Sequence, residues 1–191
     1  LAIQQYDSDG YIENDQLGSD NTNNIDEFTS RARLRWTPSD TAQYDFSASY
    51  FDADNGYDPW SLDNNRTTYS DQPGKDTQTI AAFIATGNWQ LNDSHSVLAS
   101  MSYLDADLHQ SFDADWVSDQ FCERFGCSYG NDTTQEIFDR KRDRYVVDIR
   151  WLANEQGNPA NRYLVGIYAN TGSENLDYQR PSVWYGDFAS N

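Results

Sequence analysis

The rhythm of the connections is the feature that most limits how this chain can fold. Six stretches alternate apolar and polar residues with period two, at 28–36, 42–51, 77–89, 95–104, 143–151 and 162–170, with a partial one at 1–6. That period is the mark of a strand with one apolar face. In the first stretch Phe28, Ala32, Leu34 and Trp36 oppose Thr29, Arg31, Arg33 and Arg35; in the second, Tyr44, Phe46, Ala48 and Tyr50 oppose Gln43, Asp45, Ser47 and Ser49. Ile80, Ile84, Leu98 and Val146 interrupt the pattern. The connections are long at 7–27, short at 37–41, long at 52–76, short at 90–94, long at 105–135 and shorter at 152–161, with a polar stretch at 172–191. Compact domains seldom carry structureless loops beyond about 12–15 residues. Outer-membrane barrels do, at one end only, with tight turns at the other and strands of roughly ten residues, apolar outward and polar inward. The expected fold is therefore all-β, with antiparallel up-and-down strands forming part of a transmembrane β-barrel with long extracellular loops.

Charge follows the same division. The formal net charge is -18, yet the long segments and the polar stretch at 172–191 hold 23 of the 31 acidic residues and only 4 of the 13 basic ones. The acidity belongs to one end of the expected structure. Trp36, Trp89 and Trp151 each close a strand just before a shorter connection, where an aromatic girdle at a membrane interface would lie. A nucleic-acid interface is excluded for want of a basic footprint. Disorder is unlike a chain with 6 Trp, 13 Tyr and 9 Phe. No apolar run reaches the ~20 residues of a membrane helix. Leu1 opens inside an alternating run, and six or seven strands fall short of the about eight that close a membrane barrel, so residues 1–191 are expected to be one partial barrel domain of a longer chain.

No catalytic set stands out, and the chain reads as a non-enzyme. His95 and His109 have no His or Cys at metal-ligand spacing, and no phosphate loop or nucleophile elbow is present. Asp7-Ser8-Asp9-Gly10, Asp52-Ala53-Asp54-Asn55-Gly56 and Asp113-Ala114-Asp115 resemble calcium-binding turns without completing an EF-hand, so no metal or cofactor is assigned. Cys122 and Cys127 are expected to form a small disulfide stiffening the third long segment. Arg140-Lys141-Arg142-Asp143-Arg144 is the one basic cluster, expected where a strand emerges beyond the membrane. Asn65-Arg66-Thr67, Asn92-Asp93-Ser94 and Asn131-Asp132-Thr133 meet the glycosylation pattern by composition. Among loop residues, Tyr57, Trp60, Tyr69 and Trp116 are the candidates for substrate contact, since aromatic faces bury area at low entropy cost. Arg31, Arg33, Arg35 and Asp45 are expected to face the lumen.

Several strings resemble the mid-barrel region of TonB-dependent outer-membrane receptors. They are Asp9-Gly10-Tyr11 through Leu17-Gly18, Asn24-Ile25-Asp26-Glu27, Arg31-Ala32-Arg33-Leu34-Arg35-Trp36-Thr37-Pro38, Asp54-Asn55-Gly56-Tyr57-Asp58-Pro59-Trp60-Ser61-Leu62-Asp63-Asn64-Asn65-Arg66-Thr67-Thr68, Ser70-Asp71-Gln72-Pro73-Gly74-Lys75-Asp76 and Ser111-Phe112-Asp113-Ala114-Asp115-Trp116. The resemblance covers about residues 5–120. It implies a barrel of about 22 strands around a plug, residence in the bacterial outer membrane in contact with lipid, and uptake of a scarce nutrient, typically a ferric siderophore or similar small-molecule chelate, powered by the inner-membrane TonB complex. The plug, the energy-coupling box and an aromatic C-terminal strand have no counterpart in these residues. A secreted acidic β-sandwich that binds carbohydrate or calcium is the alternative, and a plugless porin-like channel a third reading.

Overall fold

The structure is a computed structural model that describes residues 1–62, 64–126, 132–153 and 162–184. In chain order the elements are β1 (Ala2–Ser8), β2 (Glu13–Asn14), β3 (Ile25–Ser39), β4 (Ala42–Tyr57), β5 (Thr67–Thr68), β6 (Gly74–Asn92), β7 (His95–Asp113), α1 (Asp119–Phe125), β8 (Asp132–Ala153), β9 (Tyr163–Gln179) and β10 (Ser182–Trp184). One antiparallel sheet runs β1-β3-β4-β6-β7-β8, and β9 and β10 follow one another along the far edge of β8. β2 and β5 form a separate two-residue parallel pair. All-β, up-and-down architecture is thus what the chain adopts. Among the described residues β1 and β9 each pair on one side only, so the sheet is open.

Strand centres match the period-two stretches, but strand lengths do not. β3, β4, β6, β7, β8 and β9 run 15, 16, 19, 19, 22 and 17 residues. Residues 52–57, 74–76, 105–113 and 172–179, expected in loops, are therefore strand. The short connections tighten to two residues, with Ser39 paired to Ala42 and Asn92 to His95. Pro38, which has no N–H to give the ladder, sits in the register shift between Trp36 and Ser39, beyond the reach of β1.

The register sorts side chains into two unlike faces. One carries Leu34 and Trp36 from β3, Tyr44, Phe46 and Ala48 from β4, Phe83, Ala85 and Trp89 from β6, Val97, Ala99 and Met101 from β7, Val147, Ile149 and Trp151 from β8, and Val165 and Ile167 from β9. This apolar band lies open to its surroundings: Trp36 is 55% exposed, Met101 52% and Ile167 72%. At the turn end Trp36 stacks on Tyr44 at 5.1 Å, and Trp89 donates to the Tyr44 hydroxyl at 2.9 Å. Gly87 lies beneath Trp89, whose indole would stand 2.4 Å from an added Cβ. Toward the loop end the band stops at a second aromatic row, with Phe28 near Tyr50 and Tyr103 against Tyr145 at 4.5 Å. Past that row the same face turns charged: Lys75 pairs with Asp54, Lys141 with Asp107 and His109 with Asp139.

The opposite face is polar at the height of the band. Arg31, Arg33 and Arg35 lie across from Ser49, Ser47 and Asp45, and the rows continue through Thr86, Ser100 and Asp148. The residues that interrupted the alternation belong here, with Ile84 and Val146 flanking Ser102. Arg140, Arg142 and Arg144 share this face on β8, just past the Tyr103–Tyr145 row where the apolar band stops. They lie there because β8 runs straight through the segment with unbroken pairing on both sides. Among the described residues, buried apolar side chains are few, namely Ile12, Ala53, Ala106 and Ala153. Most of the buried polar residues cluster at the loop end.

Candidate functional site

The loop end is built from three segments: residues 9–24, 58–73 and 114–126. Gly10 opens the first with φ +91°, and its missing Cβ would stand 2.3 Å from the Asn23 carbonyl oxygen, so both conformation and space require glycine. The hub joining the first two segments is Asp58, only 4% exposed. Its Oδ2 accepts from Asn14 Nδ2 at 2.9 Å, Thr22 Oγ1 at 2.7 Å and Thr68 Oγ1 at 2.8 Å. Asn14, fully buried, also donates to the Ser70 carbonyl and accepts from the Leu17 N–H. Buried polar groups are stable only when so partnered, so this network replaces the apolar core that the segments lack.

The third segment docks on the first two through polar and aromatic contacts. Ser118 caps α1 by accepting from the Phe121 N–H and donates its hydroxyl to Gln16 Oε1 at 2.7 Å. Gln16 in turn donates to Gln120 at 2.9 Å. Tyr69 packs on Phe121 at 4.7 Å beside an open groove of about 460 Å³ lined by Asp15, Gln16, Tyr69, Gln120, Phe121, Arg124 and Phe125. Trp60 and Trp116 stack nearly coplanar, centroids 5.0 Å apart and planes 7° apart, while remaining 45% and 41% exposed. Trp116 holds φ +65°, a conformation rarely taken by a bulky residue. Asp113 imposes it, accepting at Oδ1 from the N–H groups of Asp115 and Trp116.

Beside Trp116 in sequence, two carboxyl groups meet. The Asp113 side chain is 5% exposed and reaches the Asp115 carboxyl, while Asp113 Oδ2, Asp115 Oδ1 and the buried Ser70 Oγ are among the enclosed polar atoms with no hydrogen-bond partner. Burial first, then the hydrogen bond and the charge of Asp113, with a smaller contribution from Asp71, push the Asp115 carboxyl up to about 8; a backbone hydrogen bond at Val117 opposes them. The Asp113–Asp115 pair therefore favours sharing a proton.

Comparison with protein-family models, curated proteins and solved structures returns no match. The residues themselves carry the functional reading.

The structure divides the aromatic candidates. Trp60 and Trp116 come together, Tyr69 lines the groove, and Tyr57 belongs to the end of β4, where it packs against Phe112 at 6.2 Å, rather than to a loop. Arg31, Arg33, Arg35 and Asp45 share the polar face, with Arg35 Nε donating to Asp45 Oδ1 at 2.7 Å. Cys122 is in a disulfide; Cys127, its expected partner, and Asn131 lie outside the described residues. Asp52 and Asp54 are engaged by Thr79 and Lys75, and Asp7 by Gln5. His95 accepts from the Trp151 indole. Among the described residues no three His, Cys, Asp or Glu side chains stand together as a metal site. Asp58 and Asn14 were not foreseen: in a chain with 31 acids, nothing local marks the one that gathers donors from 10 to 44 residues away.

Proposed function

We propose that this chain is a section of the barrel wall of a TonB-dependent receptor in a bacterial outer membrane, whose loops take part in binding a scarce nutrient for uptake. One observation carries the membrane part. The register lays an apolar band, bounded by an aromatic row at each end, across a face with no second layer on it, and places serines, threonines and arginines directly behind. The band spans seven residues on β8 and nine on β6, roughly 20–30 Å along the strands, or about 15–23 Å in height at a tilt of about 40°, close to the apolar band of about 25 Å of an outer-membrane barrel. A sandwich would need a second sheet on this face, and the described residues form only one extended sheet. Two-residue turns at one end and interlocked segments at the other are the periplasmic and extracellular ends of this arrangement.

The transport class rests on the strings that resemble the receptor family together with the exposed Trp60–Trp116 pair and the Tyr69 groove, which offer aromatic contact to a small molecule or metal chelate. On this reading the arginine face meets the plug, lipid covers the band, and the TonB complex supplies energy from the inner membrane. No catalytic role is assigned. The test is depth-dependent quenching of tryptophan fluorescence in vesicles containing brominated lipids. Trp36, Trp89 and Trp151, each kept as the single band tryptophan, are expected to be quenched, and Trp60 and Trp116 to be spared. Uniform quenching, or none in a folded sample, overturns the orientation. A receptor that carries this wall and binds a nutrient equally well with Trp60 and Trp116 both replaced by Ala overturns the binding role.

A further inference from the structure

The loop end carries its ring surfaces in an acidic setting. Segments 9–24, 58–73 and 114–126 hold 10 acidic residues against 2 basic ones, and both of these lean on rings: Arg66 lies over Tyr11, 5.9 Å from the ring centre, and Arg124 over Phe125 at 5.1 Å. Such a field turns anions away from the mouth. The groove beside Tyr69 is nonetheless balanced within itself, since Asp15 and Arg124 both line it. A cation drawn to the mouth therefore meets a guanidinium at the groove, whereas a neutral occupant is opposed by neither charge. The lining narrows the class further. Tyr69, Phe121 and Phe125 form one run of rings, with 4.7 Å between successive centres. Next to them stand the planar polar groups of Asp15, Gln16, Gln120 and Arg124, which offer donors and acceptors in adjacent pairs. The bonds that hold the two amides, from Ser118 to Gln16 and from Gln16 to Gln120, use only part of that capacity, so the groups are positioned and still able to bind. Ring faces alone would suit any apolar or conjugated molecule. Ring faces beside paired donors and acceptors suit a molecule with C–H faces and a rim of hydroxyls, as a sugar ring has.

We propose that the groove at Tyr69, Phe121 and Phe125 binds a neutral saccharide, and that the nutrient taken up is of this class rather than an anionic ferric chelate. The inference rests on the reading of the loop end as the nutrient-binding end. A sugar ring lies on the aromatic run, and its neighbouring hydroxyls bond to Gln120, Gln16 and Asp15. The groove, about 460 Å³, has the size of a site for a short oligosaccharide. The acidic surround acts as a filter, accepting hydrogen bonds from the hydroxyls of a neutral ligand and repelling free acids.

In the test, the intact folded chain is applied to an array of neutral and acidic oligosaccharides, and the best-retained sugar is then measured by calorimetry beside the trianionic ferric tris-catecholate complex. Expected are retention of a neutral sugar and an affinity that changes less than about twofold between about 0.05 and about 0.5 M salt, as for an uncharged ligand. Binding should weaken about tenfold in Phe125→Ala and in Gln120→Ala. Both side chains are exposed, Phe125 by 61%, so neither substitution empties a core. Trp36→Ala, at the turn end of the wall, is expected to bind as the parent does. Retention of acidic sugars only, no retention of any sugar, tighter binding of the ferric complex than of the best sugar, or binding undiminished in both groove variants overturns the proposal. These outcomes separate from those of the lipid-quenching test. Quenching as expected with preference for the ferric complex removes the saccharide and keeps the membrane wall, whereas sugar binding without quenching keeps the groove and removes the wall.

Discussion

The two ends of this molecule are stabilised by opposite means. At the loop end, buried polar side chains from segments far apart in sequence converge on Asp58, and aromatic pairs close over them. Along the wall, backbone ladders run for 15 to 22 residues with their apolar side chains left uncovered. The loop end is organised by its own contacts. The wall is ordered by pairing alone, and its exposed face is finished only by its surroundings. Side-chain changes should therefore be felt within the chain at the loop end and, in the wall, mainly through whatever covers the band.

The largest effect that sharpens this contrast is expected from Asp58→Ala. Three donors lose their acceptor, two of them on residues 1% exposed. A cost of about 3 kcal/mol or more follows from about 1–3 kcal/mol for each unsatisfied buried group. Hydrogen exchange should show residues 9–24 and 58–73 released while β6 and β7 keep their protection; loss of protection throughout the sheet would break the contrast.

On the proposed reading, Trp60→Ala should weaken nutrient binding about tenfold, or ~1.4 kcal/mol, with Trp36→Ala changing it less than about twofold. Equal losses would erase the distinction between the ends as far as ligand is concerned. Ser118→Ala removes the cap of α1 and the bond to Gln16, and about 1 kcal/mol of local stability, read by proteolysis within α1.

A pH effect follows in size. The Asp115 carboxyl is raised from 3.8 to about 8 in the folded chain, so between those values the folded state binds more protons than the unfolded one. Stability of the loop end should then fall as pH rises from about 4 to about 8, and level off above. Asp113 and Asp71 are the charges facing the group, and its partial exposure keeps the change small. Hydrogen exchange of residues 111–118 measures it; a rise with pH would contradict the sign. The smallest effect is expected from Arg35→Ala, whose ion pair with Asp45 is exposed on both sides; the urea midpoint should stay unchanged.

The centres of the strands were legible because one face is apolar and the other polar, so every second residue reports its side. The ends were not, because past the second aromatic row the outward phase inverts: the face that was apolar turns charged. In β7, Asp105, Asp107 and His109 succeed Tyr103 on the same face, while Leu104, Ala106 and Leu108 lie on the other. A reading that follows one apolar face along a strand ends at that inversion although the backbone pairing continues through it. The Trp exits before the turns were visible for the same reason as the strand centres. At the site, residue type pointed to Trp60 and Trp116, but their stacking across 56 positions was invisible, as was the gathering of Asn14, Thr22 and Thr68 on Asp58. Tyr57 was misplaced because the Asp/Asn/Gly string before it reads as a turn, whereas Asp54 to Tyr57 pair in register with residues 74–77.

The pairing order carries a consequence for how the chain reaches this state. Each long strand of the sheet pairs with the long strand next to it in sequence, so the sheet can grow by adding one hairpin at a time without first closing a loop across the whole chain. Growth of this kind has no built-in stop. Among the described residues the sides of β1 and β9 left unpaired are templates for a further strand, and β9 is exposed along its entire length. Recovery of folded chain should accordingly depend on concentration, with dilute refolding favouring single sheets and crowded refolding favouring edge-to-edge association.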